Sequence, residues 1–519
     1  MSLTLGLHRA LQQQPHKTAT VYRERRLSYA ELGARVARLA GGLLELGLAP
    51  GDRVALLAQN SDRTIEYVLA TWWAGGAVNP VNIRWSVPEI AYSLEDSETG
   101  ILIVDEHFLA AVAAIRERAP ALRVLIYAGE GPAPAGMLAW EALANESAPM
   151  EDARRAGTDL AGLFYTGGTT GSPKGVMLSH TNLWSSAIAR MADLPIPPDT
   201  VSLLAVPLFH LAGLGRVLTQ LIVGGTSVVL PGFNAVAVLE SIARERVTDL
   251  LLVPTMLQML LDHPDFARYR LDSLKRISYG AAPISEALLA RALQAFPGIE
   301  FTHGYGMTEA SPVISVNPPG NHTPEAARSG LLRSAGRAGY GVEIKIVGPD
   351  GEELPRHTVG EVLLRGPNVM LGYWNKPEET RAALRGGWLH TGDGAYMDEA
   401  GYIFIVDRLK DMIVSGGENV YSAEVENVVG RHPAVAACAV IGIPSETWGE
   451  AVHAVVVLRD SAAAISAEDL RAHCRQSLAP YKCPKSVEFR DALPLSGAGK
   501  VLKTALREPY WKHQARGVN

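Results

Sequence analysis

Cysteine is almost missing from this chain, and three residues in 519 cannot build a disulfide framework. Cys438, Cys474 and Cys483 also lack the C-x-x-C spacing of a zinc or redox site, so they read as packing residues in a reducing cytoplasm. Long hydrophobic runs are lacking too. The most apolar stretch, residues 203–230, is interrupted by His210, Arg216 and Gln220 and does not read as a membrane span. The N-terminus offers only a short apolar stretch, too short for a signal peptide. An excess of positive charge is the third absence. With 48 basic and 54 acidic side chains the net charge is −6, the opposite of what a protein neutralising nucleic-acid phosphates carries. No repeat of fixed period and no low-complexity tract occurs. The expectation is a cytoplasmic protein with no nucleic-acid partner and no membrane span.

What is present is a globular composition. Hydrophobic residues make up 47% and charged residues 20%, which excludes a disordered chain. At about 150 residues per domain the length allows three or four domains or lobes. From residue 54 to about 305, short β-rich runs such as VALLA (54–58), ILIVD (101–105) and TDLLLVP (248–254) alternate with helical spacing. Strands apolar on both faces and separated by helices indicate parallel sheets covered on both sides. Two such layered α/β lobes are expected, changing near residues 150–200. After Gly330, short strands joined by Gly, Pro and Asp turns predict a compact β lobe. A last shift near 408–412 opens an α+β pattern of about 110 residues that could fold by itself. The expected fold class is therefore α/β: a large N-terminal domain, residues 1–408, of two layered lobes plus a β lobe, then a small C-terminal α+β domain, residues 409–519. Residues 129–157 read as loop-rich.

Four segments carry chemistry. In YTGGTTGSPKGVMLSH, residues 165–180, a β-rich run ends in glycines, hydroxyls and a lysine. Glycine lets backbone N–H groups approach an anion closely, so the segment suits a polyphosphate cradle. It is not a Walker loop, because G-x-x-x-x-G-K-[ST] fits nowhere in 165–176. In HGYGMTEASP, residues 303–312, Thr308 and Glu309 follow a Gly-rich turn and suit a metal-bound phosphate. Taken alone, such a pair reads more readily as a helix cap. In residues 387–426, Asp393 could accept hydrogen bonds from a ribose diol and Arg408 could serve the same end; a surface salt bridge is the other reading of each. In LPLSGAGKVLK, residues 493–503, Lys500 tips a Gly-rich loop, where a lone lysine is otherwise a solvated charge.

Jointly, and in this order, the four segments resemble the adenylate-forming superfamily: acyl- and aryl-CoA synthetases, nonribosomal-peptide adenylation domains and firefly-type luciferases. The resemblance covers essentially the whole chain and implies a mobile C-terminal domain. It implies that Thr166, Gly167, Gly168, Thr169, Thr170, Gly171, Ser172 and Lys174 hold the ATP β- and γ-phosphates. Thr308 then contacts the α-phosphate and Glu309 is the Mg²⁺ carboxylate. Gly280, Ala281 and Ala282 line the adenine, Tyr305 stacks on it beside Gly306, and Asp393 and Arg408 take the ribose. Lys410 is the expected hinge, Gly416 and Gly417 border the pantetheine tunnel, and Lys500 is the lysine that enters from the C-terminal domain. His210, in PLFHLAGLG, matches the gate between acyl pocket and thiol tunnel; a buried structural histidine is its other reading. Two positions depart from the family pattern. Ala498 replaces a hydroxyl residue, and Ala281 adds a methyl where the motif often has glycine.

The implied reaction activates a carboxylate with ATP to an acyl-AMP, releasing pyrophosphate, and then passes the acyl group to a thiol. Lys482 and Lys485 read as facing the phosphates of free coenzyme A, and no carrier domain follows residue 519, so CoA is the expected acceptor. A carrier protein or an amine is the second expectation; a luciferase-like oxidoreductase or a non-catalytic homologue is a third. A medium- or long-chain fatty acid is the favoured substrate, with an aryl acid next, because residues 207–216 and 303–313 show no basic group placed for a second carboxylate except Arg216. A homodimer is the working assumption for assembly.

Overall fold

The computed structural model describes residues 1–166, 173–282, 284–459, 465–497 and 499–512. Gly167 to Ser172 and Ala498 therefore lie outside the described residues. The aliphatic runs of the first half become parallel strands buried on both faces, as in Arg53–Leu57 and Ile101–Val104. With Ala77–Pro80 and Val124–Tyr127 they form the parallel part of an eight-stranded sheet. The antiparallel pair Leu160–Thr166 and Lys174–Ser179 extends that sheet, with Thr166 opposite Lys174 across the loop mouth.

A second, nine-stranded sheet takes over from Val201–Leu204 onward. The change of lobe thus falls between Ser179 and Val201, inside the expected interval. The N-terminal hairpin Thr18–Tyr22 and Arg25–Ser28 joins this second sheet through a parallel pairing with Thr226–Val229. A strand's partner is set by tertiary packing, which no local pattern encodes. The two sheets share one core, in which Trp72, Trp140 and Tyr29 are almost completely buried. The segment 129–157 is less irregular than its composition implies, since Leu138–Ala139 is a strand and Trp140–Glu146 a helix.

The expected β lobe is a four-stranded antiparallel sheet built from Glu343–Val347, Gly360–Arg365, Leu389–Met397 and Ile403–Arg408. Beyond it stands a smaller α+β unit with a five-stranded sheet and its own core of Ile413, Val440, Val452 and Leu470. The whole is a large N-terminal α/β domain followed by a small C-terminal α+β domain. No helix among the described residues is long and apolar enough to cross a membrane.

Three local features aim residues at one place. Strands Arg276–Gly280 and Glu300–Gly306 run parallel in register, pairing Ser278 with Thr302 and Gly280 with Gly304. Their carboxyl ends form the edge where open α/β sheets bind ligands. Helix His180–Asp193 starts on a capping box, Ser179 with Asn182, which fixes its first turn and the face it shows the sheet. The loop Leu495–Val501 is closed by a β-bridge between its end residues.

Candidate active site

A cavity of about 190 Å³ lies between these elements. Eight of the residues singled out from sequence line it: His210, Arg216, Gly280, Ala281, Tyr305, Gly306, Thr308 and Lys500. Glycine is required at two of these points by close backbone approach. A Cβ on Gly280 would stand 2.3 Å from the Gly304 carbonyl oxygen, and one on Gly306 only 1.8 Å from that of Pro312. Ala281 holds φ at +65°, a conformation that costs a non-glycine residue energy. Its methyl does sit in the cavity wall.

The polar groups are linked through Tyr305. Its hydroxyl donates to Asp393 Oδ2 at 2.6 Å, while Arg408 Nε pairs with Asp393 Oδ1 at 2.6 Å. Asp393 and Arg408 face each other across two antiparallel strands. They are an ion pair, as one reading of the sequence had it, but with Asp393 only 5% exposed and tied to the cavity wall. Thr308 opens a short 3₁₀ turn whose cap position is Met307 and makes no side-chain cap hydrogen bond, so the helix-cap reading fails. Glu309, buried, accepts from the Tyr373 hydroxyl at 2.9 Å. Lys174 stands over the ring of the same Tyr373, 5.1 Å from its centre. The lysine expected to hold phosphate and the expected metal carboxylate thus meet on one tyrosine that sequence reasoning passed over. Nothing near Tyr373 spelled a motif.

Lys500 comes from the C-terminal domain. A tight turn delivers it: Ser496 N–H donates to the Lys500 carbonyl at 2.7 Å and Gly499 N–H to the Ser496 carbonyl at 2.9 Å. Arg84 Nη1 donates to the Ser496 carbonyl at 2.9 Å from the other domain. Lys500 stays exposed yet is crowded by protein. Removal from water, then the Arg408 charge, lower its pKa, while Asp393 and Glu309 pull the other way. His210 is pushed down to about 4, by burial first and by the Lys500 and Arg84 charges after it. It is therefore neutral at pH 7, and its Nε2 has no hydrogen-bond partner among the described residues.

Other expected positions lie apart from the cavity lining. Lys410 follows Arg408 in the turn between strands Ile403–Arg408 and Ile413–Ser415. Gly416 and Gly417 form a left-handed turn against Trp448. The Lys482 ammonium is held by both oxygens of Glu424 at 2.8 Å, and Lys485 stands over Trp448, 5.3 Å from the ring centre. Arg216 does not face the cavity as a free cation, because it is ion-paired with buried Asp249. The expectation that the cavity lacks another basic residue is corrected by Arg190, whose helix brings it into the lining.

The chain matches the AMP-binding enzyme model over residues 7–374 and the AMP-binding enzyme C-terminal domain over residues 424–500. A feruloyl-CoA synthase from Amycolatopsis is 43% identical over 97% of this chain and 98% of its own. The fatty acid–[acyl-carrier-protein] ligase ScoC of Streptomyces coeruleorubidus is 37% identical over 98% of this chain and 96% of its own. Among solved structures, the amide bond synthetase McbA from Marinactinospora thermotolerans superposes with a TM-score of 0.88 at 34% identity. It covers 98% of this chain and 99% of its own. This family uses ATP, Mg²⁺ and coenzyme A, and buried Glu309 with the Lys174–Tyr373 pair beside it is a donor set that fits a hard cation and its phosphates. The chain belongs to the AMP-binding enzyme family and is an ATP-dependent ligase of acids and thiols.

Proposed function

We propose that the chain activates a monocarboxylic aryl acid and transfers it to coenzyme A. The observation that carries this reading is Lys500, reaching from the C-terminal domain into the cavity that Thr308, Tyr305 and His210 line from the N-terminal one. A substrate carboxylate oxygen attacks the α-phosphorus of ATP, the bond to the bridging oxygen breaks, and pyrophosphate leaves. Negative charge builds on the phosphoryl oxygens, which Lys500 and Thr308 stabilise as preplaced donors. Glu309 would hold Mg²⁺, which supplies charge neutralisation on the phosphates. Asp393, held by Tyr305 and Arg408, is oriented to accept from the ribose hydroxyls, and Gly280, Ala281 and Ala282 lie beside the base. A thiol sulfur then attacks the acyl carbon, the carbon–oxygen bond to the phosphate breaks, and AMP and the thiol proton leave.

Neutral His210 suits a gate between acid and thiol, since an imidazolium there would repel Lys500. Residues 409–519 turn about Lys410 between the two steps, carrying Lys500 out and bringing Gly416 and Gly417 in. Lys482, released from Glu424, meets the CoA phosphates. The aryl acid ranks ahead of the fatty acid on two supports: the 43% identity to a feruloyl-CoA synthase and a cavity wall that carries Arg190, Ser278 and Thr302. A cytoplasmic, homodimeric enzyme is part of the same proposal.

A second reading, transfer to a carrier protein or an amine, draws on the likeness to ScoC and McbA. One experiment separates the two. Pyrophosphate and AMP release are measured over a panel of aryl and fatty acids, with CoA, with a phosphopantetheinyl carrier, with an amine and with no acceptor. The CoA-ligase reading predicts AMP release stimulated by CoA above every other acceptor. Stimulation by the carrier or amine alone contradicts it.

A further inference from the structure

The cavity wall beside Gly280 and Gly304 carries a side chain that the reaction derived above does not use. Helix His180–Asp193 presents Leu183, Ser186, Ala187 and Arg190 to the cavity, the i, i+3, i+4, i+7 stripe of one helix face. Three of these are small or apolar. The fourth is a guanidinium. Its Nη2 donates to Ser278 Oγ at 3.3 Å, and Ser278 Oγ in turn accepts from Thr302 Oγ1 at 2.9 Å. Its Nη1 is shielded from solvent and has no hydrogen-bond partner among the described residues.

No ion pair joins Arg190 to a carboxylate among those residues, and the charge that acts on it is that of Arg276, itself paired with Glu300 at 2.7 Å. Removal from water, with this second cation nearby, lowers its pKa to about 10, so at neutral pH it is still charged. An enclosed cation without an acceptor destabilises a fold, and such a group persists where a ligand completes it. Arg216, in the same lining, has its charge balanced by Asp249; Arg190 has no such carboxylate among the described residues.

Depth sets the size of that ligand. Ser278 precedes Gly280 by two residues, and strands rise ~3.3 Å per residue, so the Arg190 end lies ~7 Å below the Gly280 tip. Thr302 sits beside it at the same depth by register. A Cβ on Gly304 would meet nothing within 4 Å, which leaves room for a flat ring between tip and floor. An aliphatic chain of the same path would lay methylenes against the guanidinium.

We propose that Arg190, seated on Ser278, anchors the far end of the acid and selects an aryl acid bearing an oxygen acceptor opposite the activated carboxylate. The assignment rests on the ligase reading above. Its chemistry is shared by a phenolic oxygen and a second carboxylate, and the test separates them.

Cinnamate, 4-hydroxycinnamate and 4-carboxycinnamate share one skeleton and differ only at the far end. Pyrophosphate release yields kcat/KM for each acid with the wild-type chain, Arg190→Met and Arg190→Lys, and calorimetry gives their binding without ATP. The wild-type chain should favour one or both oxygen-bearing acids over cinnamate by about ten- to a hundredfold, the span of a hydrogen bond to a charged group. The acid with the larger factor identifies the oxygen. Arg190→Met should abolish the preference while keeping the cinnamate rate, Arg190→Lys should restore part of it, and the ligand-free Met variant should melt no lower than wild type because an uncompensated cation is gone.

A preference unchanged in Arg190→Met overturns the anchor. So does an equal loss for all three acids with a lowered Tm, which marks a structural arginine. No pyrophosphate from any acid, together with Arg190-dependent binding, refutes the ligase reading and keeps the anchor. Equal rates for the three acids in the wild-type chain do the reverse.

Discussion

Lys500 brings its charge into a crowded neighbourhood, with Arg408 lowering its pKa and Asp393 and Glu309 raising it. Desolvation outweighs both carboxylates, so the ammonium loses its proton at a lower pH than an ordinary lysine, whose pKa is about 10.4. In the proposed reaction the protonated form is the donor to the phosphoryl oxygens. Acyl-AMP formation should therefore decline as pH rises through that lowered pKa. Lys500→Arg, which stays charged, should move the decline out of the measurable range at a reduced rate. Thioester formation from supplied acyl-AMP should show no such limb. A decline that persists in Lys500→Arg would assign it to another group. His210 titrates at about 4 and contributes nothing between pH 5 and 8, which is why an imidazole in the wall can coexist with Lys500.

Among elements, the loop Leu495–Val501 makes a geometric demand at its Gly499. Gly499 holds φ at +75°, and a Cβ there would stand 3.2 Å from Thr255 Oγ1 and 3.3 Å from Val253 Cγ2. A side chain costs roughly 1–2 kcal/mol in that conformation and must also push the loop off the N-terminal domain. Gly499→Ala is expected to slow acyl-AMP formation at least tenfold with a Tm within a few degrees of wild type, as a rapid-quench assay and a melting curve would register. An unaltered rate would mean that Lys500 reaches the cavity without this turn. The elements also explain what could be read in advance. The Thr308–Glu309 turn and the loop that carries Lys500 could be picked out because each is a contiguous run of sequence, and a run leaves a motif; of the expected phosphate loop, Gly167 to Ser172 lie outside the described residues. Arg190 and Tyr373 were missed because each acts through a single side chain delivered by packing. The signal for Arg190 was nevertheless present: an arginine on the apolar stripe of Leu183, Ser186 and Ala187, seven residues into its helix face. The place of the N-terminal hairpin was not legible for a related reason, since its pairing with Thr226–Val229 joins segments about two hundred residues apart.

At the scale of the whole molecule, histidine burial ties stability to pH. His180, His210, His303 and His322 are all pushed down to about 4, by burial in each case. An unfolded histidine titrates near 6.5. Between these values the unfolded chain binds more protons than the folded one, so stability rises with pH across that window and is lost as pH falls from about 6.5 toward 4. At pH 5 each histidine should cost about 1–2 kcal/mol. Melting curves at constant ionic strength should show Tm dropping steeply below pH 6, and a His322→Gln variant should soften the slope. A Tm flat from pH 7 to 4.5 would contradict these burial assignments. Polar contacts between the domains include Arg431 with Glu286 at 2.8 Å and Arg84 with the Ser496 carbonyl. Exposed pairs of the first kind contribute only about 0–1 kcal/mol, which suits the proposed departure and return of the small domain.

That departure is the central claim, and it is tested by assaying the two half-reactions separately on Lys500→Ala. Pyrophosphate release from acid and ATP should fall by about 10²–10³, the loss typical of one transition-state donor. Thioester formation from CoA and supplied acyl-AMP should stay near the wild-type rate, because the lysine has by then been carried out of the cavity. An equal loss in both half-reactions would contradict a two-conformation cycle and leave Lys500 a residue that only holds the two domains in place.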